Sequence, residues 1–143
     1  MATTLREVMK TDVECCEPDH TAQCAAQEMR EGNLGFVPVC DAGKHVLGVV
    51  TDRDLAIRLV ADNLPATTRV SQIMTREVVS VRPTDSLSRA RELMISRKKS
   101  RLLVLDVDDK LVGVISLSDL AQSAGDTEAA DALRGISSRE ARA

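Results

Sequence analysis

The sequence predicts an α/β (or α+β) fold made of two copies of one unit. Three observations support this fold class: a gapless internal repeat, the same order of extended and helical segments in each copy, and the amino-acid composition. Of the 143 residues 43% are hydrophobic but only 1% are aromatic, so Val, Leu, Ile, Met and Ala must fill the core. Many of these residues are β-branched and favour strands.

The internal repeat aligns residues 8–56 with residues 73–121 at an offset of 65 positions, and twelve of the 49 aligned pairs are identical. Chance alone would give about three identities, at a matching frequency of about one in sixteen. Most other pairs keep their character, as in Thr51 and Ser116. The chain therefore contains an internal duplication.

The first copy begins with an extended segment, "DVECC", that ends at Pro18, where a helix cannot continue. A helix follows, and Gly32 is predicted as its C′ residue. Two apolar strands, "FVPVC" and "HVLGVV", flank the turn "DAGK", and a last helix begins at Asp52. The first helix is expected to bury one face, formed by Ala22, Ala25, Ala26 and Met29.

The second copy repeats this order. The run "EVVSV" ends at Pro83, the helix has Leu87, Ala90 and Met94 on one face, and the strands "RLLVLD" and "KLVGVI" precede a helix beginning at Leu117. Strands with short helical crossovers predict an α/β or α+β unit. A unit of about 50 residues is marginal by itself, so the two sheets are expected to pack together.

The predicted boundaries follow the repeat. The first repeat is placed at 1–60, the linker at 61–70, the second repeat at 71–124, and a charged, Ala-rich tail, helical or disordered, at 125–143.

Composition also limits the partners. A net charge of −3 with almost no aromatic residues lacks the basic surface and stacking platforms of a nucleic-acid binder. No apolar run reaches the roughly 20 residues that span a bilayer, and the N-terminus has no signal-peptide core. We expect a cytoplasmic protein with neither nucleic acid nor membrane as a partner.

The chain has four cysteines, all in its first half: Cys15, Cys16, Cys24 and Cys40. Their spacing fits no C-x-x-C zinc signature, and His20 and His45 stand alone, so no metal site is predicted. Reduced, buried thiols are one interpretation of these residues. A bridge from Cys15 or Cys16 to Cys40 is the other.

One octet occurs in both copies, as "GVVTDRDL" at 48–55 and "GVISLSDL" at 113–120. Thr51-x-x-Asp54 and Ser116-x-x-Asp119 match the capping box at the start of a helix, a purely structural role. Glycine in both octets would permit close strand contacts. A carboxylate at such a junction also has spare acceptors for the two hydroxyls of a ribose, and the helix N-terminus favours phosphate. Both interpretations remain open.

The double unit resembles a CBS-domain pair, also called a Bateman module, over residues 5–123. The resemblance rests on "VMKTDVECCEP" and "IMTREVVSVRP", then "FVPVCDAGKHVLGVVTDRDLA" and "SRLLVLDVDDKLVGVISLSDLA". The layout is most similar to stand-alone bacterial two-repeat proteins. The resemblance implies two β-α-β-β-α repeats packed about a pseudo-twofold axis, with two clefts that bind AMP, ADP or ATP in many members and S-adenosylmethionine or NAD in some. It also implies a homodimer of CBS pairs.

The resemblance assigns residues to both clefts. In the second cleft Asp119 would hold the ribose, Val13 and Ile115 the adenine, and Arg101 the phosphate. The full set for that cleft is Thr11, Asp12, Val13, Leu34, Gly35, Arg101, Ile115, Ser116, Ser118 and Asp119. The set for the first cleft is Thr51, Asp54, Arg76, Val78, Lys99 and Ser100. Phe36 aligns with Arg101, so the first cleft lacks that cation and is the weaker candidate for a phosphorylated ligand.

No nucleotide-binding loop, catalytic triad or metal-spaced cluster is evident, so we do not expect an enzyme. The leading hypothesis is a small regulatory sensor that binds an adenine nucleotide, needs no other cofactor and acts on an unknown regulated protein. Two alternatives remain: an interaction module whose clefts bind nothing, and a thiol redox responder that uses Cys15, Cys16 and Cys40.

Overall fold

The structure, a computed structural model, describes residues 3–123, and the predicted tail at 125–143 lies outside them. It separates into two compact units. One unit is Glu14–Val78, and the other combines Met1–Val13 with Val79–Ala143. The segment that opens the chain thus belongs with the second repeat, and the segment that opens the second repeat belongs with the first.

The elements alternate as the repeat predicts. The helices are α1 (Leu5–Val8), α2 (Ala22–Gly32), α3 (Asp52–Asp54), α4 (Val70–Ile73), α5 (Leu87–Arg97) and α6 (Leu117–Ser123), and a π-helical segment, Leu55–Val60, continues α3. The strands are β1 (Phe36–Cys40), β2 (Val46–Thr51), β3 (Ser80–Val81), β4 (Arg101–Leu105) and β5 (Leu111–Ser116). The predicted α/β class, with a repeated hairpin followed by a helix, is confirmed.

The unit Glu14–Val78 is built on the antiparallel hairpin β1–β2. Cys16 extends the sheet beyond β1 through a parallel bridge to Val39, and Thr75 extends it beyond β2 through an antiparallel bridge to Val49. The core cluster of this unit is Cys16, Ala22, Ala25, Met29, Val37, Val39, Val50, Leu59, Val70, Ile73 and Met74. No aromatic side chain belongs to this cluster.

The second unit has the same plan. Its sheet has the order β3-β4-β5, with β3 and β4 parallel and β4 and β5 antiparallel. Lys10 lies beyond β5 and exchanges both backbone hydrogen bonds with Val114 at 2.9 Å. Leu5 of α1 is fully buried in the core of this unit. The other members of that core cluster are Val81, Ala90, Met94, Leu102, Val104, Ile115 and Leu120.

The repeated glycines lie where a backbone segment crosses β2 and β5. A Cβ atom on Gly48 would lie 2.7 Å from the carbonyl oxygen of Thr75, and one on Gly113 would lie 2.9 Å from that of Lys10. Both distances are shorter than real Cβ contacts, so only glycine allows this approach. The predicted close contact is confirmed in both repeats.

Several local predictions are wrong. The first extended run forms only an isolated bridge at Cys16, whereas the second forms β3. Ala26 is exposed, because the buried face of α2 uses other positions. Gly32 is the last residue of α2, and Asn33 takes the left-handed conformation (φ 52°) that ends the helix. Lys98 does the same after α5 (φ 55°), so neither turn needs glycine.

Within residues 3–123, no helix is long and apolar enough to cross a membrane.

Candidate functional site

Asp54 is saturated by contacts within the protein. Its backbone N–H donates to Thr51 Oγ1 at 3.1 Å, and the Thr51 N–H donates to Asp54 Oδ2 at 2.9 Å, which completes a capping box at the start of α3. The Thr75 hydroxyl lies 3.0 and 3.1 Å from the two carboxylate oxygens, and Arg58 Nε lies 3.6 Å from Oδ1. Only 5% of Asp54 is exposed. Each carboxylate oxygen of Asp54 therefore already has at least one polar contact within the protein.

Asp119 has the same position at the start of α6 but different contacts. The N–H and the hydroxyl of Ser116 both donate to Oδ2, each at 2.9 Å. The Asp119 N–H donates to Ser116 Oγ at 3.2 Å, so the cap is complete. Within residues 3–123, no hydrogen bond or ion pair involves Oδ1 of Asp119. One oxygen of this carboxylate therefore has no hydrogen-bond or ion-pair partner among the described residues.

The difference follows from two sequence positions. Thr75 aligns with Lys10 in the other repeat, and Arg58 aligns with Ser123. Lys10 has the same place beside β5 that Thr75 has beside β2, but its side chain is exposed. In the part of the chain that the structure describes, neither Lys10 nor Ser123 donates a hydrogen bond to Asp119. The two carboxylates are almost equally buried, at 5% and 8% exposed, and they differ in their partners: both oxygens of Asp54 have contacts among the described residues, whereas only one oxygen of Asp119 does.

A cationic residue lies across the sheet from Ser116, the residue that caps with Asp119. Arg101 of β4 is the register partner of Ser116 of β5, so their side chains stand on the same face of the sheet, about 5 Å apart at Cβ. The equivalent pair is Phe36 and Thr51. Phe36 is 8% exposed, so the first repeat has a buried apolar ring at the register position where the second repeat has an exposed arginine.

The predicted site residues divide between the two units. Eight of the ten residues assigned to the second cleft belong to the unit of Met1–Val13 and Val79–Ala143, and Leu34 and Gly35 belong to the other. The segment from Thr11 follows Lys10, which is bonded to β5, and so lies near the strand that ends at Ser116. The second site, as we use the term, consists of Thr11, Asp12, Val13, Arg101, Ser116, Ser118 and Asp119.

The first site consists of Thr51, Asp54, Arg76 and Val78, all in the unit Glu14–Val78. Lys99 and Ser100, which were assigned with them, belong to the other unit. Arg76 is exposed and Val78 is half-buried.

Ile115 differs from its expected role. Its side chain is fully buried and belongs to the core cluster of its unit. Because successive residues of a strand point to opposite faces, Ile115 faces the core when Ser116 faces the side of Arg101. Its side chain is therefore not presented to a ligand. Val13 is half-buried and is the remaining apolar candidate for contact with a base.

Comparison with known proteins places this architecture in a family. The profile of the CBS domain matches residues 5–61 and 70–126. This chain is a tandem CBS pair. It is 38% identical to the CBS domain-containing protein YhcV of Bacillus subtilis over 135 residues, which cover 94% of this chain and 95% of YhcV. It is 30% identical to hypoxic response protein 1 of Mycobacterium tuberculosis, over 84% of each chain. These relatives are stand-alone CBS proteins with little sequence outside the pair.

Solved structures agree with this assignment. The crystal structure of hypoxic response protein I with two coordinated zinc ions superposes with a TM-score of 0.78 at 28% identity, over 85% of this chain and 99% of that one. The crystal structure of CBSX2 in complex with AMP gives a TM-score of 0.75 at 24% identity, over 85% and 96% of the two chains. The second likeness shows the fold alone.

Cys15 and Cys40 of the CBS pair form a thiol pair, with their Sγ atoms 3.4 Å apart. The hydrogen bond from the Cys40 thiol lowers the pKa of Cys15, and the same bond together with burial raises the pKa of Cys40. Both cysteines are free. The bridge considered from the sequence therefore narrows to Cys15 and Cys40. Cys16 points elsewhere, with its thiol 3.7 Å from Glu28 Oε2.

The expectation that His20 stands alone is wrong. One ring nitrogen of His20 and the sulfur atoms of Cys16 and Cys24 lie within 4.8 Å of one another. Burial, followed by the nearby Glu28 carboxylate, raises the pKa of Cys16 to about 12. The sequence contains a usable signal that motif matching missed, because these four residues recur at every fourth position: Cys16, His20, Cys24 and Glu28.

Proposed function

We propose that this CBS pair is a regulatory sensor that binds an adenine nucleotide, of the AMP, ADP or ATP class, at the second site. The observation that carries the proposal is the uncommitted Oδ1 of Asp119, in a carboxylate whose other oxygen is held by Ser116. An ionised carboxylate with a free oxygen accepts hydrogen bonds from the adjacent hydroxyls of a ribose.

The neighbouring residues supply the rest of a nucleotide site. Arg101 stands across from Ser116 and is suited to charge-assisted bonds with phosphate oxygens. The chain has no Trp or Tyr, and its single Phe is 8% exposed, so adenine would bind mainly by burial against Val13 and by backbone hydrogen bonds around Thr11 and Asp12. Contacts from Leu34 and Gly35 remain part of the prediction. The fold is compatible with this ligand, since CBSX2, which shares it, is known in complex with AMP.

The interaction-module alternative describes the first site better than the second. The Asp54 carboxylate accepts hydrogen bonds from Thr51 and Thr75 and forms an ion pair with Arg58, as expected of a purely structural cap. That alternative gives no reason for the uncommitted oxygen of Asp119. We therefore expect one occupied nucleotide site in each chain, and no catalytic turnover of the nucleotide.

Thermal unfolding with AMP, ADP, ATP, S-adenosylmethionine and NAD tests the proposal. A ligand present at a hundred times its Kd adds about 2.7 kcal/mol, which raises the Tm by several degrees in a chain of this size. An external dye or calorimetry is required, because the chain has no Trp or Tyr.

Two matched variants locate the site. Asp119→Asn should abolish the nucleotide-dependent rise in Tm, because the amide presents a donor or a neutral acceptor where the ribose needs an anion. Asp54→Asn, at the equivalent position of the other repeat, should retain the rise. The ligand-free melt of each variant verifies that it folds. If no nucleotide moves the wild-type Tm, or if Asp119→Asn keeps the full shift, the proposal is wrong.

A second candidate function is redox sensing, favoured by the 3.4 Å contact between Cys15 and Cys40. In this reaction the Cys15 thiolate attacks a low-molecular-weight disulfide and releases one thiol. The Cys40 sulfur then displaces the second thiol to form the Cys15–Cys40 bond, so two protein thiols are oxidised and one disulfide is reduced. After incubation with oxidised glutathione, thiol titration should detect two fewer free thiols in the wild-type protein. The Cys15→Ser variant should form no intramolecular disulfide. Retention of four thiols would exclude this function.

A homodimer of CBS pairs remains part of the proposal. It is supported by three exposed apolar side chains on the π-helical segment and the turn after it, with exposed fractions of 46% for Ile57, 71% for Val60 and 41% for Leu64. Analytical ultracentrifugation should show a dimer for wild type and a monomer for Val60→Asp. A wild-type monomer at micromolar concentration would contradict it.

A further inference from the structure

A cluster of metal-ligand side chains in the unit Glu14–Val78 lies apart from the carboxylates at the two helix caps. The sulfur atoms of Cys16 and Cys24 and one ring nitrogen of His20 lie within 4.8 Å of one another. A carboxylate oxygen of Glu28 lies 3.7 Å from the Cys16 sulfur. Two thiols, an imidazole and a carboxylate form the donor set of a four-coordinate transition-metal site.

The distances are close to those of a bound site. A tetrahedral zinc site has bonds of about 2.0–2.3 Å and therefore ligand atoms about 3.3–3.8 Å apart. The contact between Cys16 and Glu28 already has this length, and the ligand atoms of Cys16, His20 and Cys24 need to approach one another by about 1.3 Å at most. Glu28 lies outside that group of three, so its carboxylate must also move toward His20 and Cys24 to complete the site.

We propose that Cys16, His20, Cys24 and Glu28 bind one divalent ion of the zinc class. Thiolate and imidazole donors select Zn²⁺ and similar borderline ions over Mg²⁺ or Ca²⁺, which prefer oxygen ligands. Four protein ligands leave no open position, so the site is structural and stabilises the unit in which it lies.

The backbone around the cluster is fixed at each ligand. The backbone of Cys16 forms two hydrogen bonds with β1: its N–H donates to Pro38 O and its carbonyl oxygen accepts from Cys40 N, each at 2.9 Å. His20 ends a turn in which its N–H donates to Glu17 O at 3.0 Å. The Thr21 side chain accepts from Cys24 N in the first turn of α2 at 3.1 Å. Glu28 lies one turn further along the same helix. The donors are thus held by a sheet, a turn and a helix.

One contact opposes metal binding. The Glu17 N–H donates to His20 Nδ1 at 3.2 Å, and in the neutral ring this places the proton on Nε2. An ion bound to either nitrogen removes this hydrogen bond, because Nδ1 must hold either the metal or the proton. The lost bond lowers the affinity but leaves the ligand set intact.

The second repeat shows that the fold does not require these residues. The positions that align with the cluster are Val81, Asp85, Arg89 and Leu93. An equivalent helix, α5, and an equivalent strand pairing form there without a thiol or an imidazole. The cluster is therefore a property added to the first repeat, and core packing alone does not account for four metal-ligand residues at successive four-residue intervals.

Cobalt titration of the full chain tests the proposal. The chelator-treated, reduced protein is titrated with Co²⁺, whose visible absorption reports tetrahedral thiolate coordination. We expect one Co²⁺ per chain, displacement of these bands by Zn²⁺, and a higher Tm with Zn²⁺. Cys24→Ser and His20→Ala should each weaken Co²⁺ binding by more than about 100-fold, since even a residue behind a metal ligand contributes about 10–100-fold. Glu28→Gln should also weaken it, and unchanged affinity in that variant would remove Glu28 from the ligand set.

The thiol pair supplies the matched control. Cys15→Ser and Cys40→Ser alter two cysteines of the same unit that the proposal leaves out, so both variants should keep the wild-type spectrum and affinity. Far-UV circular dichroism verifies the fold of each variant. Absence of tetrahedral bands at stoichiometric Co²⁺ would overturn the proposal. So would bands that vanish in Cys15→Ser or Cys40→Ser but persist in Cys24→Ser. Neither outcome depends on whether the second site binds a nucleotide.

Discussion

Replacing each of the two capping aspartates by alanine should separate their stabilising roles. Asp54→Ala removes the acceptor of the Thr51 N–H and of the Thr75 hydroxyl. Hydrogen bonds to an ionised group contribute about 1.5–3 kcal/mol each. The ion pair with Arg58 adds little, because that arginine side chain is 51% exposed and solvent screens it. We expect a loss of about 3.5 kcal/mol in the free energy of unfolding.

Asp119→Ala should be milder. Both of its hydrogen bonds come from Ser116 within the cap itself, so the variant loses the cap but no contact with a distant segment such as that of Thr75. We expect a loss of about 2 kcal/mol, near the upper value for a helix cap. The difference between the variants is then about 1.5 kcal/mol, or about 5 °C in Tm at this chain length.

Urea unfolding followed by far-UV circular dichroism, without nucleotide, measures both losses. Asp52→Ala is the matched control, because Asp52 lies on the same helix and is exposed, and its side chain accepts a hydrogen bond only from the adjacent Arg53 N–H among the described residues. It should cost less than about 1 kcal/mol, the value of a charge near a helix N-terminus. Equal losses for Asp54→Ala and Asp119→Ala, or a larger loss for Asp119→Ala, would refute the distinction between a saturated and an open carboxylate.

Three further predictions concern packing and pH. Gly48→Ala and Gly113→Ala should each cost about 1–3 kcal/mol in urea unfolding, because the new Cβ meets a backbone carbonyl at under 3.0 Å, and a neutral result would contradict this geometry. Leu5→Ala should cost about 2–5 kcal/mol and speed amide exchange in β4 and β5 rather than in β1 and β2, and a faster exchange in β1 and β2 would contradict the composition of the units. Because the pKa of Cys16 is raised to about 12, protonation of this thiol stabilises the fold fully below its ordinary pKa of about 8.5, and the stabilisation is lost as pH rises from there toward 12. Cys16→Val, which copies the residue at 81, should flatten this loss in metal-free urea titrations from pH 8 to 11, and an unchanged slope would assign the loss to other groups.

The local parts of the architecture are predictable from the sequence. The capping boxes depend on residues three positions apart, so the T/S-x-x-D pattern identifies them without knowledge of the fold. The hairpins follow from apolar runs separated by turn residues. The sequence predicts the last residue of a helix less precisely. The residue that ends a helix often takes the left-handed conformation but need not be glycine, and here Asn33 and Lys98 take it.

The long-range parts are not predictable in this way. The Thr75 hydroxyl that closes Asp54 comes from 21 positions away, and no spacing rule anticipates it. The burial of Leu5 with the second repeat was also missed, because its short helix carries no signal for which sheet it joins. The cluster of Cys16 and His20 was missed for a related reason. Motif matching expects zinc ligands at the spacing of a zinc finger, whereas a turn followed by a helix brings fourth-neighbour residues together.

The duplication explains how one fold carries two helix caps with different contacts. Both repeats keep the glycine, the hydroxyl and the carboxylate that the strand-to-helix junction needs, and these residues form the same cap twice. The contacts of each carboxylate then depend on the positions that the junction leaves unconstrained. Thr75 in one repeat and Lys10 in the other decide whether the carboxylate retains an oxygen for a ligand. Lys10→Thr places a hydroxyl beside Asp119, as Thr75 is placed beside Asp54. This variant should therefore reduce nucleotide binding at the second site while leaving the helix cap intact. Unchanged nucleotide affinity in Lys10→Thr would mean that the two carboxylates differ for another reason.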